Sequence, residues 1–132
     1  MEHINCRGLV FEKISYAKSG DSIRITGRVS PRDTILIIPP LIDNLPVTEI
    51  SKYAFENCEN LTEIKLPETL KVIERGAFFN CESLKVINFP DSLISIEWKA
   101  FYRCRSLTNV KISSSVEIDP TAFDRGLNIE RK

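Results

Sequence analysis

A unit of 23 residues occurs three times without a gap, over residues 47–69, 70–92 and 93–115, and eight positions in each copy hold the same kind of apolar side chain. Val47, Leu70 and Leu93 open the units, Ile50, Ile73 and Ile96 follow, and then come the pairs Ala54-Phe55, Ala77-Phe78 and Ala100-Phe101. Cys58, Cys81 and Cys104 stand three residues later, ahead of Leu61, Leu84 and Leu107, of Ile64, Ile87 and Val110, and of Leu66, Phe89 and Ile112. A single unit of this length has no second layer against which to bury such a set. Neighbouring copies must therefore cover one another, which is the logic of a solenoid with cooperative repeats and distinct end caps.

The second half of each unit alternates, as in Ile64-Lys-Leu66, Ile87-Asn-Phe89 and Val110-Lys-Ile112, the period of a short half-buried strand. Stacked copies place these strands in parallel. Pro67 and Pro90 follow two of them, where a missing N–H removes no bond from the middle of a sheet. Between strands, Ala-Phe-x-x-Cys-x-x-Leu spaces apolar groups three apart, which predicts a helical turn or two on the outer side. Upstream, residues 22–27 alternate like a strand and residues 34–39 supply an early copy of the repeat strand. A hairpin-like N-terminal cap follows, with turns at 19–21 and 30–33. At the other end Val116, Ile118, Ala122 and Phe123 repeat the pattern one residue short and Gly126 replaces the next Cys, so the polar residues 128–132 are expected to be an exposed tail. One domain is read in three parts: a cap with the first repeat strand over 1–46, three repeats over 47–115, and a degenerate repeat with its tail over 116–132.

The phrase x-Ala-Phe-x-x-Cys-x-x-Leu-x-x-Ile-x-Leu-Pro, intact over residues 53–67, resembles the 23-residue leucine-rich repeats of the BspA-like class, LRR class 5. Ile38-Pro39 followed by Ile42-Asp-Asn-Leu-Pro-Val-Thr-Glu-Ile50 looks like that class's N-terminal cap leading into its first repeat. The resemblance covers residues 11–123. It implies an α/β horseshoe: a right-handed solenoid with parallel strands on the concave side, short helical turns on the convex side and a β-hairpin-like cap. In the family such surfaces chiefly bind proteins or other macromolecules, and many relatives are bacterial or protist surface adhesins.

Composition narrows the function classes. With 42% hydrophobic and 27% charged residues the chain has the makings of a packed core, and eighteen basic residues balance eighteen acidic ones, leaving no long-range field to draw in nucleic acid or an anionic membrane. The densest apolar stretch, 35–42, is broken by Pro39 and Pro40 and is too short to insert in a bilayer. The opening residues lack a secretory signal, so the chain as given is expected in the cytoplasm, or at the cell surface if it belongs to a longer protein. Three of the four cysteines share one slot of successive repeats, a packing register before a redox framework, and Cys6 lies in the cap.

No chemistry is spelled out. His3 is the only histidine and lies in the leader, which leaves Ser-His-Asp and Cys-His arrangements without a base inside the repeats. The cysteines have no CxxC spacing for a metal, and no GxxxxGK[ST] or GxGxxG cradles a phosphate, so neither metal, cofactor nor enzymatic activity is expected. Glu74 with Glu97, and Glu68 with Asp91, share repeat positions, as surface charge does in any repeat.

Two surfaces are candidates for a partner. Strand alternation turns Ile35 and Ile37, Glu63 and Lys65, Val86 and Asn88, and Asn109 and Lys111 out of the core, to pave the concave face for a protein or peptide ligand or to form an ordinary solvated sheet face. Replacing Lys65 and Asn88 together is expected to weaken binding and leave stability nearly unchanged. On the convex flank Phe79 and Tyr102 share a slot, and Trp98 stands where earlier copies have Lys52 and Arg75. These aromatics either mark a second contact or are covered by the C-terminal segment, and they or the open C-terminal end could join two copies. The expected function is non-enzymatic recognition of a protein or peptide, with an adhesion fragment of a larger surface protein as the alternative.

Overall fold

The computed structural model describes residues 2–5, 13–28 and 34–132. Cys6 and the turn expected over 30–33 lie outside the described residues. Thirteen short strands are present among them: β1 (Glu2–Asn5), β2 (Lys13–Ser19), β3 (Ser22–Arg28), β4 (Ile35–Ile37), β5 (Leu41–Ile42), β6 (Leu45–Ile50), β7 (Glu63–Lys65), β8 (Val72–Ile73), β9 (Val86–Ile87), β10 (Ser95–Ile96), β11 (Asn109–Ile112), β12 (Glu117–Ile118) and β13 (Asn128–Arg131).

Each coil has a front strand, a flank strand and a turn segment at the back, and the coils are numbered one to five by their front strands β4, β7, β9, β11 and β13. The front strands form the parallel sheets β4-β7-β9 and β11-β13, and the flank strands join the cap in the order β1-β2-β3-β6-β8-β10-β12, with β5 folded onto β6. Equal coil lengths set the register: Glu63 pairs with Val86, and Val72 with Ser95, each 23 residues on. The core is one continuous file. Phe55 and Phe78 stack with centroids 5.2 Å apart, Phe78 and Phe101 at 5.0 Å, and Phe101 and Phe123 at 5.2 Å, all nearly parallel. Parallel strands lie ~4.8 Å apart, so one ring per coil fits that rise without a gap.

The expected helical turns on the convex side are absent: no helix occurs among the described residues, and the fold is an all-β solenoid, not an α/β horseshoe. Two features of the back segment exclude a helix. Residues four apart take left-handed backbone angles, at Tyr53 (φ 54°) and Asn57 (60°), Gly76 (62°) and Asn80 (61°), and Lys99 (51°) and Arg103 (66°). The amide of each Phe also leaves its own coil, Phe55 N–H donating to Ala77 O at 2.7 Å, Phe78 to Ala100 at 2.8 Å and Phe101 to Ala122 at 2.7 Å. A helix would spend those N–H groups on its own preceding turn. The three-residue apolar spacing instead marks consecutive tight turns, closed by bonds such as Cys58 N–H to Phe55 O and Leu61 N–H to Cys58 O, both 3.3 Å. Gly76 meets two demands at once, since it is left-handed and the Tyr53 ring occupies the space a Cβ would need.

The N-terminal cap is built from antiparallel hairpins. β2 and β3 meet through Gly20-Asp21, with Gly20 at φ 64°, and β5 and β6 through Asp43-Asn44, both left-handed, at 55° and 63°. The second pair of angles suits a two-residue hairpin loop of the kind Asn and Asp tolerate. β1, which carries His3 of the leader, pairs along β2 from Glu2↔Tyr16 to Asn5↔Lys13. The C-terminal residues are also a correction to the expected exposed tail. Residues 128–131 form β13, in parallel register with β11 from Asn109↔Asn128 to Ile112↔Arg131. Their polar side chains are exposed while one edge of the backbone pairs with β11, which side-chain polarity alone cannot reveal.

Candidate functional site

Alternation places the expected residues on one surface. Leu36, Ile64, Val110 and Ile112 are buried, while Ile35 and Ile37 are half-buried and Glu63, Lys65, Val86, Asn88, Asn109 and Lys111 are exposed on the front. Val86 is 55% exposed, unusual for a branched aliphatic in the middle of a sheet face.

That surface is split. Between the first front strands, the Thr34 carbonyl accepts from Thr62 N–H (2.7 Å) and Glu63 N–H (3.2 Å), and the Thr62 carbonyl accepts from Lys85 (2.8 Å) and Val86 (3.1 Å). Among the described residues no such bond joins Lys85 to coil four; β9 and β11 are unpaired, and pairing resumes only with β11 and β13. Phe89 explains the break. It fills the slot that Leu66 and Ile112 hold in the adjacent coils, only 5% exposed, with its ring edge-on to Phe101 (5.4 Å, 75°) and to Phe123 (6.1 Å, 76°). A ring standing on edge beneath β11 needs more height than a branched aliphatic. The coils therefore stay stacked at the back and part at the front.

The parting leaves a groove of about 560 Å³, floored by Ile87, Phe89 and Val110 and edged by Glu68, Asp91, Glu130, Lys111 and Lys132. Lys132 Nζ reaches Asp91 Oδ1 at 3.2 Å and ties the end of β13 back to the third coil. Through Glu68 and Asn88 the groove adjoins a second hollow of about 450 Å³, walled by Ile37, Pro39, Pro40, Lys65, Leu66 and Pro67. The two form one trough across the C-terminal ends of the front strands, apolar near the cap and mixed in charge near β13.

Asn88 has structural work here. Its Oδ1 accepts from Leu66 N–H at 2.7 Å and its Nδ2 donates to Leu66 O at 3.0 Å, so the side chain pairs with the neighbouring strand as a backbone would. The expectation that Asn88 can be replaced without cost to stability is corrected on this point, since substitution strands both Leu66 groups. Other polar side chains also serve as inter-coil rungs: Thr69 Oγ1 donates to Val47 O at 2.7 Å, Ser92 Oγ to Leu70 O at 2.6 Å, and Arg131 Nη2 to Val116 O at 2.7 Å.

The shared cysteine slot is a packing column. Cys81 Sγ–H donates to Phe55 O and Cys104 Sγ–H to Phe78 O, both at 3.2 Å. Hydrogen bonds with Cys104 and Cys58, with burial beside them, hold the Cys81 thiol far above the usual range and therefore protonated. Among the described residues no cluster of three His, Cys, Asp or Glu side chains is placed to hold a metal ion. Asp119 is moved the other way: hydrogen bonds from the Thr121 hydroxyl and amide lower its pKa from the ordinary 3.8.

On the convex flank Phe79 and Tyr102 stack at 6.0 Å, and Lys99 Nζ lies 4.7 Å from the centroid of Trp98 and 5.0 Å from that of Tyr102. The C-terminal segment does not cover them, because it runs up the front as β13; Trp98 stays 43% and Tyr102 36% exposed. The trough was missed in the sequence because it depends on how far two coils separate. The visible signal was Phe89, the one aromatic in its column.

The repeat geometry has counterparts in solved structures. A leucine-rich repeat protein from Bacteroides capillosus superposes with a TM-score of 0.78 at 26% identity, covering 92% of this chain and 94% of that one. The leucine-rich repeat protein of T. pallidum gives 0.71 at 25% identity over 90% of this chain, which spans 62% of the T. pallidum chain. A leucine-rich cell surface protein of Faecalibacterium prausnitzii shares the fold, with a TM-score of 0.69 at 20% identity over 92% of this chain and 41% of that one. None of the curated proteins matches the chain. The model of the BspA type leucine-rich repeat region matches residues 47–131 in six copies, well over half of the sequence, and the chain belongs to that family.

Proposed function

We propose that this protein is a recognition module without catalytic activity, which binds an extended segment of a partner protein along the front trough. The observation that carries the reading is the seam between β9 and β11, where two strand edges face each other unpaired across a groove of about 560 Å³. Strand edges offer N–H and C=O groups in the spacing an extended peptide needs. Around them stand the amides of Asn109 and Asn128, with three carboxylates and two amines, a mixed set suited to a peptide backbone and flanking charges. The adjoining hollow at Ile37, Pro39, Pro40 and Pro67 supplies an apolar anchor site.

The test is a comparison of wild type with a Val86→Glu/Lys111→Glu variant as baits in a native extract, with a thermal melt of each. Both side chains are exposed, so the melts should coincide. A partner retained by the wild type and lost from the variant supports the reading; equal retention by both overturns it.

A further inference from the structure

The whole-chain charge of zero conceals a local excess at the convex corner of the last two coils. Lys99, Arg103, Arg105 and Arg125 line one hollow of about 670 Å³, against a single carboxylate, Asp124. That carboxylate is already engaged, its Oδ1 accepting the Arg103 amide N–H at 2.6 Å. Of the ion pairs among the described residues, none involves these four cations.

Backbone conformation makes the placement costly, and so informative. The left-handed position that starts each back segment holds Tyr53, Gly76 and Lys99, and the second holds Asn57, Asn80 and Arg103. Glycine and asparagine are the residues that take such angles with least strain. The Tyr53 ring is bedded over Gly76, which gives that exception a packing reason. In the fourth coil both positions carry basic residues, and both line the same hollow. Lys99 is further held over the faces of Trp98 and Tyr102, so those rings present a cation to the hollow and not a bare face for a nucleobase.

We propose that this corner is a binding site for a small polyanion carrying two or more phosphate or sulfate groups. Four cations against one carboxylate need more than one negative charge for balance, and guanidinium forks match the paired oxygens of phosphate and sulfate. The hollow is of the size of a small-ligand pocket, and Pro120 and Phe123 give it an apolar wall. The site lies on a different face from the peptide trough, and neither proposal depends on the other.

The repeat itself supplies the test variants. Lys99→Gly and Arg103→Asn install the residues that the third coil carries at Gly76 and Asn80, so both should melt at or above the wild-type temperature. Arg105→Gln adds a variant outside the left-handed positions. The full chain would be titrated calorimetrically with tripolyphosphate and with sucrose octasulfate, and the fluorescence of Trp98, the only tryptophan, followed in the wild type. Saturable binding of either probe, weakened by about tenfold or more in each variant and unchanged in the flank control Lys71→Gln, is expected. Tighter binding of the phosphate or of the sulfate probe identifies the natural group. Absence of saturable binding by both probes, variants that bind as the wild type does, or tighter binding of a single-stranded oligonucleotide than of either probe overturns the proposal.

Discussion

The third and fourth coils meet twice, and the two meetings differ. At the back, Phe78 and Phe101 stack at 5.0 Å and the amide of one coil donates to the carbonyl of the next at 2.8 Å. At the front, the same two coils are parted between β9 and β11 by a groove. The back repeats the same residue in every copy, so each interface has the same height. The front breaks its column with Phe89, and the strand pairing is interrupted there. A solenoid can thus keep its core continuous while one substitution in a strand slot opens a binding surface on the other side.

The largest effect expected from breaking this contrast comes from the regular side. Phe78→Ala removes a ring stacked on both faces and should cost about 3 to 5 kcal/mol in a denaturant titration, where a loss below ~1 kcal/mol contradicts the continuous file. Next comes Asn88→Ala, which leaves the Leu66 N–H and C=O without partners; about 1 to 3 kcal/mol should be lost, and the Leu66 amide should exchange faster in hydrogen-exchange measurements. Phe89→Leu restores the residue type of coil two and sharpens the comparison directly. It should cost less than about 1.5 kcal/mol while slowing exchange of the Asn109 amide as β9 and β11 close, whereas unchanged exchange would separate the groove from the ring.

Smaller effects test the edges. Lys132→Gln cuts the tie to Asp91 between two well-exposed side chains and should shift stability by no more than about 0.5 kcal/mol, read from the melting midpoint. The Asp119 carboxylate has a folded pKa below its unfolded one, so its stabilising contribution is present above the unfolded value, near 3.8, and is lost as pH falls through the lower folded value. Asp119→Asn should accordingly lose that contribution at neutral pH and flatten the acid limb, so that the stability profiles of variant and wild type converge at low pH.

The front residues were legible because alternation is a local property: once Ile64 and Val110 point inward, Glu63, Lys65, Asn109 and Lys111 must point outward. The convex turns were misread because spacing by three fits both a helix and a chain of tight turns. Asn57 and Asn80, at the left-handed sites, were the clue that distinguishes them. β13 was read as a tail because its side chains are polar, although its hold on β11 comes from backbone groups that side chains do not report.

The sequence by itself determined the coil, its length and the residues that face inward, since a 23-residue period of apolar side chains is satisfied by stacking and by little else. Only the tertiary structure decided where two coils part, which polar side chains serve as rungs and which basic residues gather at one corner. Burial pattern acts within a repeat and is written in each copy; separations and charge clusters arise between copies, from the size of one ring against its neighbours and from side chains that are distant in the chain and adjacent in space.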